Sequence, residues 1–189
     1  MVEELKKIDF KIMGVITNNY IVPNYNSVPL ETIIPYKLDE TKKITLLNIA
    51  STNNLSTKNN SKLQLASSIN DKLILLYDFS KGLNCKEINY YKLLFQKMTL
   101  KYNKKIILFS KDINFLSTIC DTYVIYDKKV IYKTNNIFDD KLYSYVDMPN
   151  IVKFIKIANK KGAMLTETLD INELIKDIYR RLHANKDNI

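Results

Sequence analysis

Two stretches of the chain are apolar without a break: Leu73–Tyr77 after Lys72, and Ile106–Phe109 between Lys105 and Ser110. A strand with one wet face alternates between apolar and polar residues. An unbroken run fits a strand covered on both faces, as in a parallel sheet. Between these runs, Glu87–Tyr102 carries apolar residues at helical spacing and predicts a helix with a stripe of Leu93, Leu94, Phe95 and Met98. Strand, helix and strand in this order predict a right-handed βαβ unit. A third strand is expected at Thr122–Tyr126, then a turn at Lys128–Lys129 and a short partner at Val130–Tyr132. Lys11–Ile16 is a further strand candidate near the N-terminus.

The pattern changes towards the C-terminus. Asn150–Asn159 has Ile151, Val152, Phe154, Ile155 and Ala158 at helical spacing, and Lys160-Lys161-Gly162 has the cations and glycine of a helix end. Asp170-Ile-Asn-Glu173 has the cap residue and the acid of a capping box and opens a second helix to about Leu182. Ile151, Phe154 and Ile155 on one helix, with Leu174, Ile175 and Ile178 on the other, form apolar stripes that must be buried against the core or a partner. Two regions follow: an α/β core at 1–142 and a C-terminal helical region at 143–189. Asn-rich Thr52–Ser61 reads as a loop.

Glycine content narrows the chemistry more than charge does. The three glycines, Gly14, Gly82 and Gly162, lie far apart. A phosphate-cradling loop needs closely spaced glycines, because backbone N–H groups must reach the phosphate with no Cβ in the way. Neither G-x-x-x-x-G-K-[ST] nor G-x-G-x-x-G occurs. The net charge of +9 raises nucleic acid as a partner. Its lysines are scattered, however, in a composition rich in Lys, Asn, Ile and Tyr, so no nucleic-acid partner is expected. Cys85 and Cys120 read as reduced thiols of a cytoplasmic protein. No run reaches the roughly 18 apolar residues of a membrane span, and the N-terminus has no apolar leader segment. His183, the single histidine, has no second ligand near it and reads as a solvated helix end; Asp139-Asp140 reads as a turn or helix cap. No metal site is expected.

Taken in order, several segments resemble the ATPase domain of an ABC transporter. Leu55, Ser56, Thr57, Lys58 and Asn59 stand where that family has its LSGGQ signature, and Lys62–Ile69 resembles the helix after it. Leu73–Asn84 resembles the Walker B strand and D-loop, usually four apolar residues followed by DEPTSGLD. Ile106–Asp112 is similar to the strand ending in the switch histidine, and Ile119–Tyr126 to the family's CDRVIVL strand. The tail, from Tyr145 through Lys161-Gly162 to Thr168–Leu174, resembles the C-terminal region of energy-coupling factor (ECF) ATPases. Met13–Asn19 with Asn26–Ile33 is similar to the Q-loop strand and the segment opening the helical subdomain. In a second register, Leu5–Ile12 resembles the strand preceding the phosphate loop, and Gly14–Asn19 is a ruined phosphate loop. The Q-loop register is preferred because it needs only a shortened helical subdomain.

The resemblance implies a partial P-loop NTPase sheet, ABC ATPase-like, with flanking helices and a small C-terminal helical region. It also implies that the phosphate-loop strand lies inside the sheet, beside the strand ending at Ser110. In the Q-loop register that strand is missing, and Lys11–Ile16 is expected to enter the sheet and cover the exposed edge. The family's catalytic residues are replaced. Tyr77 stands at the Mg²⁺ aspartate position, Asp78 at the glutamate that polarises water, and Lys111 at the switch histidine. Asn84 stands at the D-loop aspartate, Asn18 at the Q-loop glutamine, and Thr57 and Lys58 at the signature glycines. Tyr77-Asp78 reads as a strand end with a polar cap, and Lys111 as a solvated lysine paired with Asp78 or Asp112.

No catalytic residue is therefore expected, and ATP with Mg²⁺ enters only through the resemblance. The function implied is a non-catalytic, ABC- or ECF-like transporter subunit. Its partners would be an intact ABC ATPase, as a heterodimer, and a membrane scaffold subunit, and its place the inner face of the cell membrane. The alternative is a regulatory or structural protein, or a non-functional remnant, on the same eroded scaffold.

Overall fold

A computed structural model describes residues 1–18, Leu65 and 71–184. The signature-like residues Leu55 to Asn59, the helix expected after them and Asn26–Ile33 lie outside the described residues. The chain divides into two compact units, Met1–Asn135 and Asn136–Ile189. The division falls before the expected 142/143 boundary because buried Ile137 and Leu142 and the 3₁₀ turn Asp140–Ser144 join the helical unit.

The first unit is a five-stranded sheet. Its strands are β1 (Ile12–Ile16), β2 (Leu73–Tyr77), β3 (Lys105–Phe109), β4 (Thr122–Asp127) and β5 (Lys129–Thr134), in the order β2-β3-β1-β4-β5. The first four are parallel. β1 pairs with β3 from Ile12↔Ile106 to Val15↔Phe109, and with β4 from Met13↔Thr122 to Ile16↔Ile125. β5 runs antiparallel to β4, making the sheet mixed, with a left-handed Lys128 at the turn. Lys11–Ile16 thus does enter the sheet, at its centre and beside β3.

Alternation within β1 explains its central position. Met13 and Val15 point into a core with Leu5, Phe10, Ile107, Phe109, Val124 and Tyr126. Leu5 comes from a short N-terminal helix, α1 (Val2–Leu5). Gly14 belongs to the opposite-facing set. A Cβ there would lie 3.1 Å from Cys120 Sγ and 3.2 Å from Leu116. Its place in the strand is therefore a matter of close helix approach. Burial, with Asp121 beside it, pushes the Cys120 thiol up, in keeping with an unreactive packing residue.

Helix α2 (Cys85–Tyr102) is held at its start by a full capping box. The Asn84 side chain accepts from Glu87 N–H at 3.0 Å, and the Glu87 carboxylate accepts from Asn84 N–H at 3.0 Å. Asn103, in the left-handed region, closes its end. Its buried face is Tyr91, Phe95, Met98 and Thr99, where Tyr91 and Phe95 meet Phe79. Leu93 is exposed, contrary to the expected stripe, because Tyr91 lies on the sheet side of the helix and Leu93 on the outer side. A helix not expected from the sequence, α3 (Ile113–Ile119), follows β3 and is capped by Asp112. β2, at the sheet end, buries Ile74 and Leu76 fully, but Leu73, Leu75 and Tyr77 only in part.

The second unit holds α4 (Asn150–Lys160) and α5 (Ile171–Ala184). Its core is Ile155, Leu165 and Leu174, with Phe138, Ile151, Ala158 and Ile178 partly buried against it. Asp170 caps α5 through Asn172 N–H and Glu173 N–H. The expected capping box is half formed, since the Glu173 carboxylate pairs with Lys176 at 2.8 Å and Asp170 N–H donates to Thr168 Oγ1. Asp139 caps the 3₁₀ turn, and His183 lies exposed in the last turn of α5. Among the described residues no helix is long and apolar enough to cross a membrane.

Candidate functional site

Parallel strands bring their C-terminal ends to one edge, where the backbone departs into loops and leaves a crevice. Here β1, β2 and β3 end around a cavity of about 570 Å³ lined by Asn18, Asp78, Ser80, Lys81, Ser110, Lys111 and Asp112. Of the residues singled out in the sequence, Asn18, Asp78 and Lys111 meet at this crevice. Tyr77 and Asn84 do not line it.

Asp78 is where the chain leaves β2. Its φ of 47° is in the left-handed region that L-residues seldom occupy outside turns. Its N–H donates to the Phe109 carbonyl at 2.8 Å, and the turn that follows is closed by Lys81 N–H donating to the Asp78 carbonyl. That turn carries Lys81 Nζ back to the Asp78 carboxylate, at 2.5 Å. The Asp78 side chain is 17% exposed and that of Lys81 63%. A pair this open contributes at most about 1 kcal/mol. Its consequence is chemical: an ammonium group lies against the carboxylate.

The remaining lining groups are anchored in the backbone. Ser110 is buried, its N–H donates to the Val15 carbonyl, and its hydroxyl accepts from Asp112 N–H at 3.1 Å. One Asp112 carboxylate oxygen accepts from Phe115 N–H at 3.0 Å and so caps α3. Lys111, between them, is exposed, as expected. Lys111 is expected to pair with Asp78 or Asp112; for Asp78 the structure shows a pair with Lys81, which the left-handed turn brings back. Tyr77 stacks on Phe109, with ring centroids 4.7 Å apart and planes 7° from parallel. Asn84 is the cap of α2. The crevice can hold a small polar molecule through hydroxyl, amide and ammonium groups. Ser80 and Lys81 were missed as site residues, and no residue pattern marks a left-handed aspartate.

No protein-family model matches the chain. It is 30% identical over 123 residues to the energy-coupling factor transporter ATP-binding protein EcfA2 of one Staphylococcus epidermidis strain, covering 61% of this chain and 43% of the relative. It is likewise 30% identical over 120 residues to the same protein from a second strain, covering 59% of this chain and 42% of the relative. The chain thus spans less than half the length of the curated relatives it matches. Among solved structures, the dimeric post-hydrolysis state of the ATP-binding cassette MJ0796 bound to ADP and Pi matches with a TM-score of 0.42 and 18% identity, covering 70% of this chain and 66% of that one. On its sequence similarity and its five-stranded α/β sheet, the chain is an ABC ATPase-like domain related to the ATP-binding subunits of energy-coupling factor transporters.

Proposed function

We propose that this protein is a non-catalytic, ABC ATPase-like subunit related to the energy-coupling factor ATPases, working by association with an intact ATPase and a membrane scaffold subunit. The observation that carries this reading is the Asp78–Lys81 ion pair at the strand-end crevice. By resemblance, Asp78 stands where the family polarises water. An ammonium lies 2.5 Å from that carboxylate and neutralises it. Tyr77, at the metal-ligand position, stacks on Phe109, and Asp112 caps α3. A magnesium nucleotide does not fit these residues.

The pairing of β1 with β3 fits both registers, the Q-loop register because Lys11–Ile16 covers that edge and the phosphate-loop register because its strand lies beside the strand ending at Ser110. In the latter register Thr17 and Asn18 continue from β1 without the glycines that a phosphate cradle needs. Isothermal titration of the full chain with Mg-ATP tests the reading, and a flat trace is expected. A dissociation constant in the low micromolar range, lost in Asp78→Ala, overturns it.

A further inference from the structure

We propose that the outer face of α2 is a docking seam for an acidic amphipathic helix of another protein. Helix α2 buries one side against the sheet unit, through Tyr91, Phe95, Met98 and Thr99. The opposite side is neither wholly polar nor left to scattered apolar residues. Tyr90, Leu93 and Leu100 are 62%, 66% and 70% exposed. Lys86, Lys97 and Lys101 are exposed between and beside them. At 3.6 residues per turn, these six side chains fall within about 100° of the helix circumference. Lys86, Tyr90, Leu93, Lys97 and Leu100 follow one another at alternating steps of four and three. That alternation is the spacing of a helix–helix seam, where each side chain enters a gap on a facing helix.

Charge selects the occupant. α2 contains four lysines and one acidic residue, and that residue, Glu87, is held in the capping box at the helix start. The seam is therefore apolar and cationic with no exposed carboxylate. A second copy of this chain, paired in parallel, would set Lys86 against Lys86 and Lys97 against Lys97, which is repulsive. A lipid surface is also the poorer match. A helix lying on a membrane keeps its cations on the polar face, away from the apolar one. Here Lys97 sits inside the row, between Leu93 and Leu100. A facing helix with leucines at the same spacing and glutamates opposite the lysines satisfies both features. None of the crevice residues belongs to α2, so the proposal stands independently of the function proposed above.

The test uses the full chain and a synthetic helical peptide with leucines at alternating three- and four-residue steps flanked by glutamates. A lysine-for-glutamate counterpart is the control. Fluorescence anisotropy is expected to show binding of the acidic peptide, weakened by added salt, and none of the basic peptide. Leu93→Glu and Lys97→Glu, both at exposed positions, should each weaken binding on the order of tenfold, with unchanged circular dichroism. Lys97→Glu should in turn improve binding of the basic peptide. The proposal is overturned if the acidic peptide fails to bind or its binding is indifferent to both substitutions. Two further results also overturn it: preferential binding to phosphatidylserine-containing vesicles lost in Leu93→Glu, or a concentration-dependent homodimer in light scattering dispersed by Leu93→Glu.

Discussion

The sheet unit and the helical unit treat their apolar residues differently. In the sheet unit the central strands are sealed: Met13, Val15, Ile106, Ile107, Leu108, Phe109 and Val124 are essentially inaccessible. In the helical unit only a few side chains reach that state, among them Leu142, Val152 and Ile155, while Phe154, Ile157, Ile171, Ile175, Tyr179 and Leu182 remain half or more exposed, or close to it. The expected tail stripes are thus split. Ile155 and Leu174 are buried, Ile151 and Ile178 partly so, and Phe154 and Ile175 are 50% and 45% exposed. Strands buried on both faces need long-range register, and that register closes a core in one step. Two short helices bury one stripe each, and a second apolar stripe then has nowhere to go within a unit of this size.

The largest expected effects separate the two cores. Phe109 is fully buried, stacked on Tyr77 and paired with Val15 of the neighbouring β1. Phe109→Ala should cost about 3–5 kcal/mol, combining lost transfer energy with a cavity. Ile155→Ala should cost about 2–5 kcal/mol locally in a cluster with only two other buried members, Leu165 and Leu174. Amide hydrogen exchange distinguishes the outcomes. Phe109→Ala should accelerate exchange throughout β1, β3 and β4. Ile155→Ala should release α4 and α5 while the strand amides stay protected. Loss of β3 protection in Ile155→Ala would mean that the two units unfold together, and the contrast between them would fail.

A smaller effect contrasts two glycines. A Cβ at Gly14 would be tight, 3.1 Å from Cys120 Sγ and 3.2 Å from Leu116, so these side chains must give by a few tenths of an ångström. Gly162 has open space around it but a φ of 89°. Gly14→Ala should therefore cost about 1–3 kcal/mol through overpacking, and Gly162→Ala about 1–2 kcal/mol through backbone conformation alone. The remedies differ. Adding Cys120→Ala should recover part of the loss at position 14, whereas Asn should be tolerated better than Ala at position 162. Chemical denaturation of the single and double variants measures this. If Cys120→Ala simply adds to the cost of Gly14→Ala, contact with the sulfur is not the cause.

All five strands were legible in the sequence to within a few residues, and so were the three longest described helices, because periodicity and capping residues are local signals. Helix α3 was not. Its seven residues are too short for a period to show, and Ile113, Thr118 and Ile119 favour strands. The choice of Tyr91 over Leu93 for the buried face of α2 depends on where Phe79 lies, which no local pattern gives. The candidate site was half legible. Asp78 and Lys111 stand at strand ends that apolar runs announce. The Asp78–Lys81 pair depends on a left-handed turn at an aspartate, set by the hydrogen bond to Phe109 of the neighbouring strand rather than by neighbours in sequence. The central position of β1 likewise follows from pairing with strands roughly 90 to 110 residues away.

The smallest expected effect belongs to the helical unit and concerns pH. Asp177 lies on α5, and its carboxylate accepts from Thr166 N–H at 2.7 Å and from Arg181 Nε at 3.2 Å. The Thr166 backbone bond, with Arg181 adding to it, holds the Asp177 carboxyl below its ordinary value, against some opposing desolvation. The folded pKa is thus depressed relative to the unfolded chain, where an aspartate titrates near about 3.9. The folded state then binds fewer protons. The stabilisation is fully present above the unfolded value and is lost as pH falls through the folded one, so the window lies below about pH 4. Solvent reaches this side chain, which keeps the effect small. The Thr166 amide resonance, followed by NMR down the acid range, should titrate with a midpoint below that of a free aspartate. Asp177→Asn should remove that titration and leave the amides of β3 unmoved. A Thr166 midpoint at the ordinary aspartate value would show that the hydrogen bond does not persist in solution, leaving the loop before α5 without the tie that joins it to the helix.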